Sequence, residues 1–441
     1  MNSLPHQFRA FAKVAPLVLA STCLLTPASA EEEVFEYEAG GFNAVMGDNA
    51  NIGGFIFPEL YAAGTWGVFD GSTGAEDYAT GGHDPQNDLG IQSIEMHLGI
   101  NLDDVVTGMI AGFGHMGAEG VWEAELEEAF LHYWITDNIA IGGGQFLSRF
   151  GFQATNHAHD WQFVNQNLVN SRVLNEGELI VHGGEILFKT PGNGGLLTLG
   201  GGGVRSHSHN HDHGHDDHED DHDEHDHDDE HDDDHDDHDD DHDEHDHEEG
   251  EHHFEADDAG FANFIVSADY RFRLPFDDSV VLSTSLAFGE NGFNRDTTAY
   301  GFGFQKVWNG HDHGAGPEFC SEALMLQSEF IGRKVNAYDE DGDSLSFDDY
   351  GISTSLLYGL SDKATLSLRH DWITGVEIAE LSESQRISAA LTAFVDPGQR
   401  IRTRIQYDYT MNDDIGGEHA AWLQVQIQWG GLGGSHANHA H

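Results

Sequence analysis

The chain has 441 residues, with 18 Lys or Arg against 79 Asp or Glu, and a formal net charge of -61. A balance this acidic excludes nucleic acid as an expected partner, because phosphate backbones need basic side chains. Of the two cysteines, Cys23 and Cys320, the first falls within a predicted leader. The remaining one can form neither an internal disulfide nor a cysteine-based zinc site.

Residues 1–30 are predicted to be a secretory signal peptide. Two basic residues precede an apolar run over residues 14–25, and Ala28-Ser29-Ala30 forms an A-x-A cleavage motif. The apolar run is too short for a permanent membrane-spanning helix. Residues 31–52 are then predicted to be an N-terminal periplasmic segment.

An alternation of apolar and polar residues recurs over residues 53–430. Ile94 and Met96, for example, alternate with Glu95 and His97. Each run has about ten residues, the length of a tilted transmembrane strand, and about sixteen such runs can be counted. A soluble β-sandwich has the same period of two, so the period alone does not decide between the two folds.

The links between the predicted strands favour a barrel. Alternate links are short turns, such as residues 103–104 and 396–398. The links between them are longer and polar, at about residues 69–88, 149–176, 205–258, 334–346 and 411–418. Short turns at one rim and long loops at the other are typical of outer-membrane barrels, whose short turns are periplasmic. The predicted fold class is therefore all-β, a transmembrane antiparallel β-barrel.

Residues 206–253 form a tract of histidine, aspartate and glutamate without Lys or Arg. Because such a segment has no apolar surface to bury, we predict a disordered external loop between the seventh and eighth strands. Imidazole suits zinc and similar divalent transition metals, and carboxylates add oxygen donors. We therefore expect many weak reversible Zn²⁺ sites, the alternative being a solvated polyanionic loop without a ligand. The predicted metal ligands here are His207, His209, His211, His213, His215, His218, His222, His225, His227, His231, His235, His238, His242, His245, His247, His252 and His253.

Charged residues in the alternating runs are predicted to face the lumen, because a charge on the lipid face costs roughly 2–4 kcal/mol at the midplane. Two interpretations stay open. A basic wall opposite an acidic wall creates a transverse field across a water-filled pore, or the charges form structural ion pairs in a narrow or plugged lumen. The predicted pore-lining residues are Glu95, Glu128, Glu185, Arg271, Arg273, Arg333, Arg369, Arg386, Arg400, Arg402 and Arg404.

The link over residues 149–176 is predicted to fold inward as a constriction. Residues 160–174 have a helix-like pattern with Asp160 as a plausible N-cap. His157 and His159 precede this pattern and are predicted to hold a metal at the pore mouth, the alternative being hydrogen bonds within the loop.

The segment from Glu128 to Asn138, with Gly142-Gly143-Gly144-Gln145-Phe146 and Arg149-Phe150-Gly151, resembles Gram-negative porins of the phosphate-selective porin O and P type. The following residues 156–164, Asn-His-Ala-His-Asp-Trp-Gln-Phe-Val, resemble a narrower group of porin-like proteins linked with zinc supply. The resemblance covers about residues 50–190 and implies a porin barrel with passive diffusion, while trimers are common in similar porins. Phosphate is not carried over, because the acidic, His-rich loop departs from a phosphate-selective pore.

The sequence thus predicts an outer-membrane porin of a Gram-negative bacterium whose external loop captures zinc or another divalent metal. The alternative is a surface metal-sequestering or adhesion protein on a closed barrel. No nucleophile or general-base constellation occurs, so we expect no enzyme activity and no tightly bound cofactor. Expected partners are outer-membrane lipid, divalent metal ions and a possible homotrimer. Residues 431–441 form a His-containing tail that either binds metal or is a disordered end.

Overall fold

The structure, a computed structural model, describes residues 56–70, 81–117, 120–190, 194–205, 259–309, 321–338, 344–379, 381–396, 400–412 and 416–430. These residues form sixteen antiparallel strands in one closed barrel. Each strand pairs with its neighbours in the chain, and the first strand closes the sheet on the last. The predicted fold class is confirmed.

The strands are β1 Ile56–Phe69, β2 Leu89–Leu102, β3 Val106–Met116, β4 Trp122–Thr136, β5 Ile139–Leu147, β6 Ile180–Thr190, β7 Gly195–Val204, β8 Phe261–Leu274, β9 Asp277–Asn291, β10 Asp296–Trp308, β11 Leu324–Tyr338, β12 Ser344–Ser361, β13 Ala364–Ile373, β14 Ser384–Phe394, β15 Ile401–Asn412 and β16 Gly416–Gly430. No helix in the described part of the chain is long and apolar enough to cross a membrane.

The two faces of the barrel wall follow the alternation in the sequence. In β15, Ile405 and Tyr407 are exposed on the outer face, whereas Arg404, Gln406 and Asp408 are buried inside. A soluble sandwich buries its apolar face between two sheets and exposes its polar face. Here the apolar face is outward and much of the interior is polar, which is the arrangement of transmembrane barrels.

The longest links between consecutive strands are residues 70–88, 148–179, 205–260 and 309–323. The third contains the His/Asp tract, between β7 and β8 as predicted, and the tract itself lies outside the described residues. So do the signal peptide, the N-terminal segment and the His-containing tail. The predicted links over 334–346 and 411–418 are shorter than expected, because the flanking strands continue to Tyr338 and Asn412.

The link between β5 and β6, residues 148–179, folds into the barrel, and we call it the inward loop. It contains a short helix α1, Leu168–Val173, between 3₁₀ turns at Ala158–Asp160 and Asn175–Gly177. Val169 and Val173 of α1 belong to a buried cluster with Ile331 of the barrel wall. The predicted helix over 160–174 is too long, and Asp160 is not its cap. Asn167 caps α1, with its side-chain oxygen accepting from the Asn170 backbone N–H at 2.8 Å.

Candidate functional site

Arginines of β13, β14 and β15 hold the backbone of the inward loop. Arg404 Nη1 donates to the carbonyl oxygen of Phe163 at 2.8 Å, and Arg369 Nη1 donates to that of Asn165 at 2.9 Å. Further pairs of this kind are Arg402 with His159, Arg404 with Trp161, and Arg386 with Gln166. Hydrogen bonds from charged donors are about twice as strong as those from neutral ones. These arginine–carbonyl bonds therefore fix the position of the loop.

The predicted pore-lining arginines fall into three groups. Five are buried: Arg333, Arg369, Arg386, Arg402 and Arg404. Among them, Arg333 forms an ion pair with Asp349 and Arg369 forms one with Asp371, each at 3.1 Å. The arrangement favours the structural interpretation of these cations over an uncompensated basic wall. Arg271 and Arg273 are half-buried, and Arg400 lies before β15 and is exposed.

Gly151, near the start of the inward loop, has a backbone conformation that favours glycine, with φ of +66°. A Cβ at this position would overlap Oε1 of Glu329, which accepts the Phe152 backbone N–H at 2.7 Å. The Gly151 N–H itself donates to the Ser285 hydroxyl at 2.9 Å. The turn therefore needs both the left-handed backbone and the missing side chain.

Histidines and glutamates gather inside the barrel where β2 and β4 meet the inward loop. This His/Glu cluster consists of His83, His97, His157, His159, Glu95, Glu125, Glu127, Glu128 and Glu178. Glu95 and His97 lie on β2, and three of the glutamates lie on β4. The remaining members come from the links over residues 70–88 and 148–179. All are buried except Glu125, which is half-buried.

A β-bulge in β4 places two consecutive glutamates in the cluster. The register with β3 shifts between Ala111 and Gly112, which pair with Glu128 and Leu126 and leave Glu127 without a partner in the ladder. Because side chains alternate along a strand, the extra residue reverses the alternation beyond it. Glu127 and Glu128 are therefore both buried, at 0% and 6% exposure.

His157 lies between two carboxylates of β4. Its Nδ1 is 3.2 Å from Glu127 Oε2, and its Nε2 is 3.0 Å from Glu128 Oε2. His159 lies farther along the loop, with Nδ1 2.6 Å from Glu95 Oε2. The loop histidines are thus bound to the wall of the barrel by carboxylates of β2 and β4.

His83 joins the cluster from the link between β1 and β2. Its Nδ1 is 2.6 Å from Glu178 Oε1 and 3.5 Å from Glu127 Oε1, and its Nε2 is 3.1 Å from Glu125 Oε1. Glu127 consequently lies between His83 and His157 and contacts both imidazoles.

The carboxylates control the protonation of the loop histidines. Burial alone would lower the pKa of His157, but Glu127 and Glu128 outweigh it and raise that pKa well above its usual range. Burial is likewise outweighed at His83, where Glu178 and Glu125 raise the pKa well above its usual range. The pKa of His159 is raised in the same way. The imidazoles of His83, His157 and His159 can therefore carry a positive charge near neutral pH.

Two groups of donor atoms in the cluster have the composition of a metal site. Glu95, His97 and His157 form one group and His83, Glu125 and Glu178 the other, with donor atoms within 4.8 Å of one another in each. Of the two loop histidines predicted as ligands, His157 belongs to the first group and His159 contacts its Glu95. The predicted lumenal glutamates Glu95 and Glu128 lie in the cluster. Glu185 is also buried and bonds His132 at 2.6 Å.

Sequence reasoning missed the second group of donors. His83 lies in a long polar link whose path the alternation does not predict, and Glu178 lies at the end of the inward loop, beyond the link predicted over residues 149–176. Glu125 and Glu127 stand in a visible glutamate run, Glu123-Ala124-Glu125-Leu126-Glu127-Glu128. That run is the one signal that pointed to them, but strict alternation assigns Glu125 and Glu127 to the outer face.

No protein-family model matches this sequence, and no curated protein sequence matches it significantly. Among solved structures, it is similar to OmpF of Salmonella typhi in complex with daunomycin, with 9% identity and a TM-score of 0.52 over 85% of this chain and 97% of that one. It is also similar to the outer membrane channel DcaP of Acinetobacter baumannii, with 10% identity and a TM-score of 0.50 over 85% and 96%. The chain therefore has the fold of outer-membrane porins.

Proposed function

We propose that this protein is an outer-membrane porin for the passive diffusion of small hydrophilic solutes. The observation that carries the proposal is a closed barrel with an apolar outer face and a polar interior that holds one inward loop. The exposed apolar side chains, such as Leu391 and Ile405, suit lipid and not water. The porin fold of the two structural neighbours supports the same assignment.

A polar recess beside the inward loop is the proposed path for solutes. It lies between the inward loop and the wall of the barrel. The loop contributes Gln153, Asn156 and Gln162, and the wall contributes Gln327 and Ser355 among others. Amide and hydroxyl groups replace water contacts of a passing solute without binding it as strongly as an uncompensated charge would.

We further propose that the His/Asp tract, residues 206–253, captures zinc or another divalent metal at the pore mouth. The spacing of its histidines and the resemblance of residues 156–164 to porin-like proteins linked with zinc supply support this proposal. A tract of weak sites raises the local ion concentration, and the barrel lets ions pass down their gradient.

Conductance in planar lipid bilayers tests the channel. We expect the full-length protein to give discrete steps, and Ser355→Trp to reduce the step size because it fills the recess. Ser361→Trp, at the exposed end of β12, is the matched control and should conduct like wild type. Heat-modifiable migration in gels verifies that each variant is folded. A folded wild-type barrel without conductance would refute the porin and favour a surface metal-sequestering or adhesion protein.

A further inference from the structure

We propose that the His/Glu cluster inside the barrel binds two divalent transition-metal ions. One ion is held by Glu95, His97 and His157, and the other by His83, Glu125 and Glu178. Glu127 lies between the two sites. None of the six proposed ligands belongs to residues 206–253, and the sites do not depend on whether ions cross the pore.

The donor sets match what such ions require. Zinc and similar ions take imidazole nitrogen at about 2.0–2.1 Å and carboxylate oxygen at about 2.0–2.2 Å. Donors around a tetrahedral ion are then roughly 3.3 Å apart. His97 Nε2 and Glu95 Oε2 are 3.8 Å apart, so a small side-chain rotation brings both onto one ion. Each site supplies three protein ligands and leaves a fourth position for water or a further carboxylate.

Buried donor atoms without hydrogen bonds concentrate in this cluster. Among the described residues, Glu95 Oε1, His97 Nε2 and Glu178 Oε2 make no hydrogen bond. The residues that carry these atoms are each at most 4% exposed. A buried polar atom without a hydrogen bond costs free energy, so such atoms gathered in one place indicate a ligand. A cation bound by Glu95 and His97, and a second bound by Glu178, would supply the missing interactions.

The charges of the cluster point to a cation. It contains five carboxylates and four imidazoles. Buried anions are costly unless they are compensated. A divalent ion at each site compensates the carboxylates, and it takes the place of a proton on the imidazoles that bind it.

The imidazoles are already held in place by their neighbours. His83 stacks on Phe113 with ring centroids 3.5 Å apart, and His159 stacks on Tyr61 at 3.7 Å. When one nitrogen of His157 binds an ion, the carboxylate at its other nitrogen fixes the ring, as is usual for metal-bound histidine. The first ion would thereby join β2 to the inward loop and secure it against the wall.

Zinc retention by full-length variants tests the two sites. Protein saturated with ZnCl₂ is dialysed against nitrilotriacetate, and the zinc left per chain is measured by mass spectrometry. We expect His97→Gln and His83→Gln each to retain one zinc fewer than wild type. His132→Gln is the matched control, because His132 is buried in the lumen but bonds one carboxylate, Glu185, at 2.6 Å. Residues 206–253 are the same in all four proteins, so any zinc that they retain cancels in the comparison.

Equal zinc retention by wild type, His97→Gln and His83→Gln, all with heat-modifiable barrels, would overturn the proposal. Should a variant fail to fold, anomalous diffraction at the zinc edge from crystals of the wild-type protein decides instead. Two peaks in the cluster support the sites, and a map without them refutes them. Neither zinc retention nor anomalous diffraction depends on conductance. A failure of these metal sites can therefore be distinguished from a failure of the porin function.

Discussion

Arg404 of β15 donates a 2.8 Å hydrogen bond from Nη1 to the carbonyl oxygen of Phe163 in the inward loop. The same side chain donates to Thr392 and Gln424 of the wall and is only 1% exposed. Its charge is therefore engaged in holding the loop, and little of it is presented to passing solutes. The selectivity of the channel should depend less on this arginine than its position in the sequence suggests.

Replacing Arg404 with Ser should loosen the inward loop. The change removes several charge-assisted bonds and leaves buried carbonyls unpaired, at a cost of about 1–3 kcal/mol. We expect a lower unfolding midpoint, together with larger and noisier conductance steps. Arg400→Ser is the control, because Arg400 is exposed in the link before β15. If the two variants conduct alike, Arg404 does not position the loop.

Replacing Gly151 with Ala should displace the start of the inward loop. The φ of +66° and the overlap with Glu329 act together at this position. Gly120→Ala is the matched control, because Gly120 has a φ of +73° and nothing lies within 4 Å of the position that a new methyl group would take. The control should lower the free energy of unfolding by about 1–2 kcal/mol through backbone strain alone. Gly151→Ala should lower it by more and should also change the conductance. Equal decreases in the two variants would show that the Glu329 contact is unimportant.

The barrel was predictable from the sequence because most of its strands follow one simple alternation. Residues such as Ile405 and Gln406 alternate without interruption, and a wall between lipid and water requires that alternation. The inward loop was predictable as a long link, but its capping by Asn167 was not, because Asp160 and Asn167 are both acceptable caps. The choice between them is made by tertiary contacts.

The His/Glu cluster was only partly predictable. His157 and His159 stand out as a motif, and Glu95 follows from the alternation. Glu127 depends on a one-residue bulge opposite Ala111 and Gly112, and a slip of one residue reverses the face of every side chain beyond it. His83 depends on the path of a long link. Neither feature leaves a periodic signal in a single sequence.

Deleting residues 206–253 should remove most of the weakly bound zinc. Because the sixteen described strands already close the barrel, the shortened protein should still migrate as a heat-modifiable band. Metal-ligating imidazole must be neutral, and free histidine titrates near about 6.5. Zinc binding by the full-length protein should therefore fall steeply between about pH 7.5 and about pH 6.

Equilibrium dialysis of both proteins over that pH range measures the effect. The difference between them isolates the tract from the cluster inside the barrel. Carboxylates stay ionised across the range, so a tract that binds through Asp and Glu alone would respond little. A flat profile, or equal zinc binding by the two proteins, would contradict capture by the histidines.

The central claim is that a passive channel and an external metal-binding tract act together in one protein. The most direct test is zinc influx into liposomes that contain the purified protein and a trapped zinc-sensitive dye, without any energy source. We predict rapid influx through the full-length protein and, at low external zinc, slower influx through the variant lacking residues 206–253. Influx no faster than into protein-free liposomes, with the barrel shown to be folded, would contradict the account.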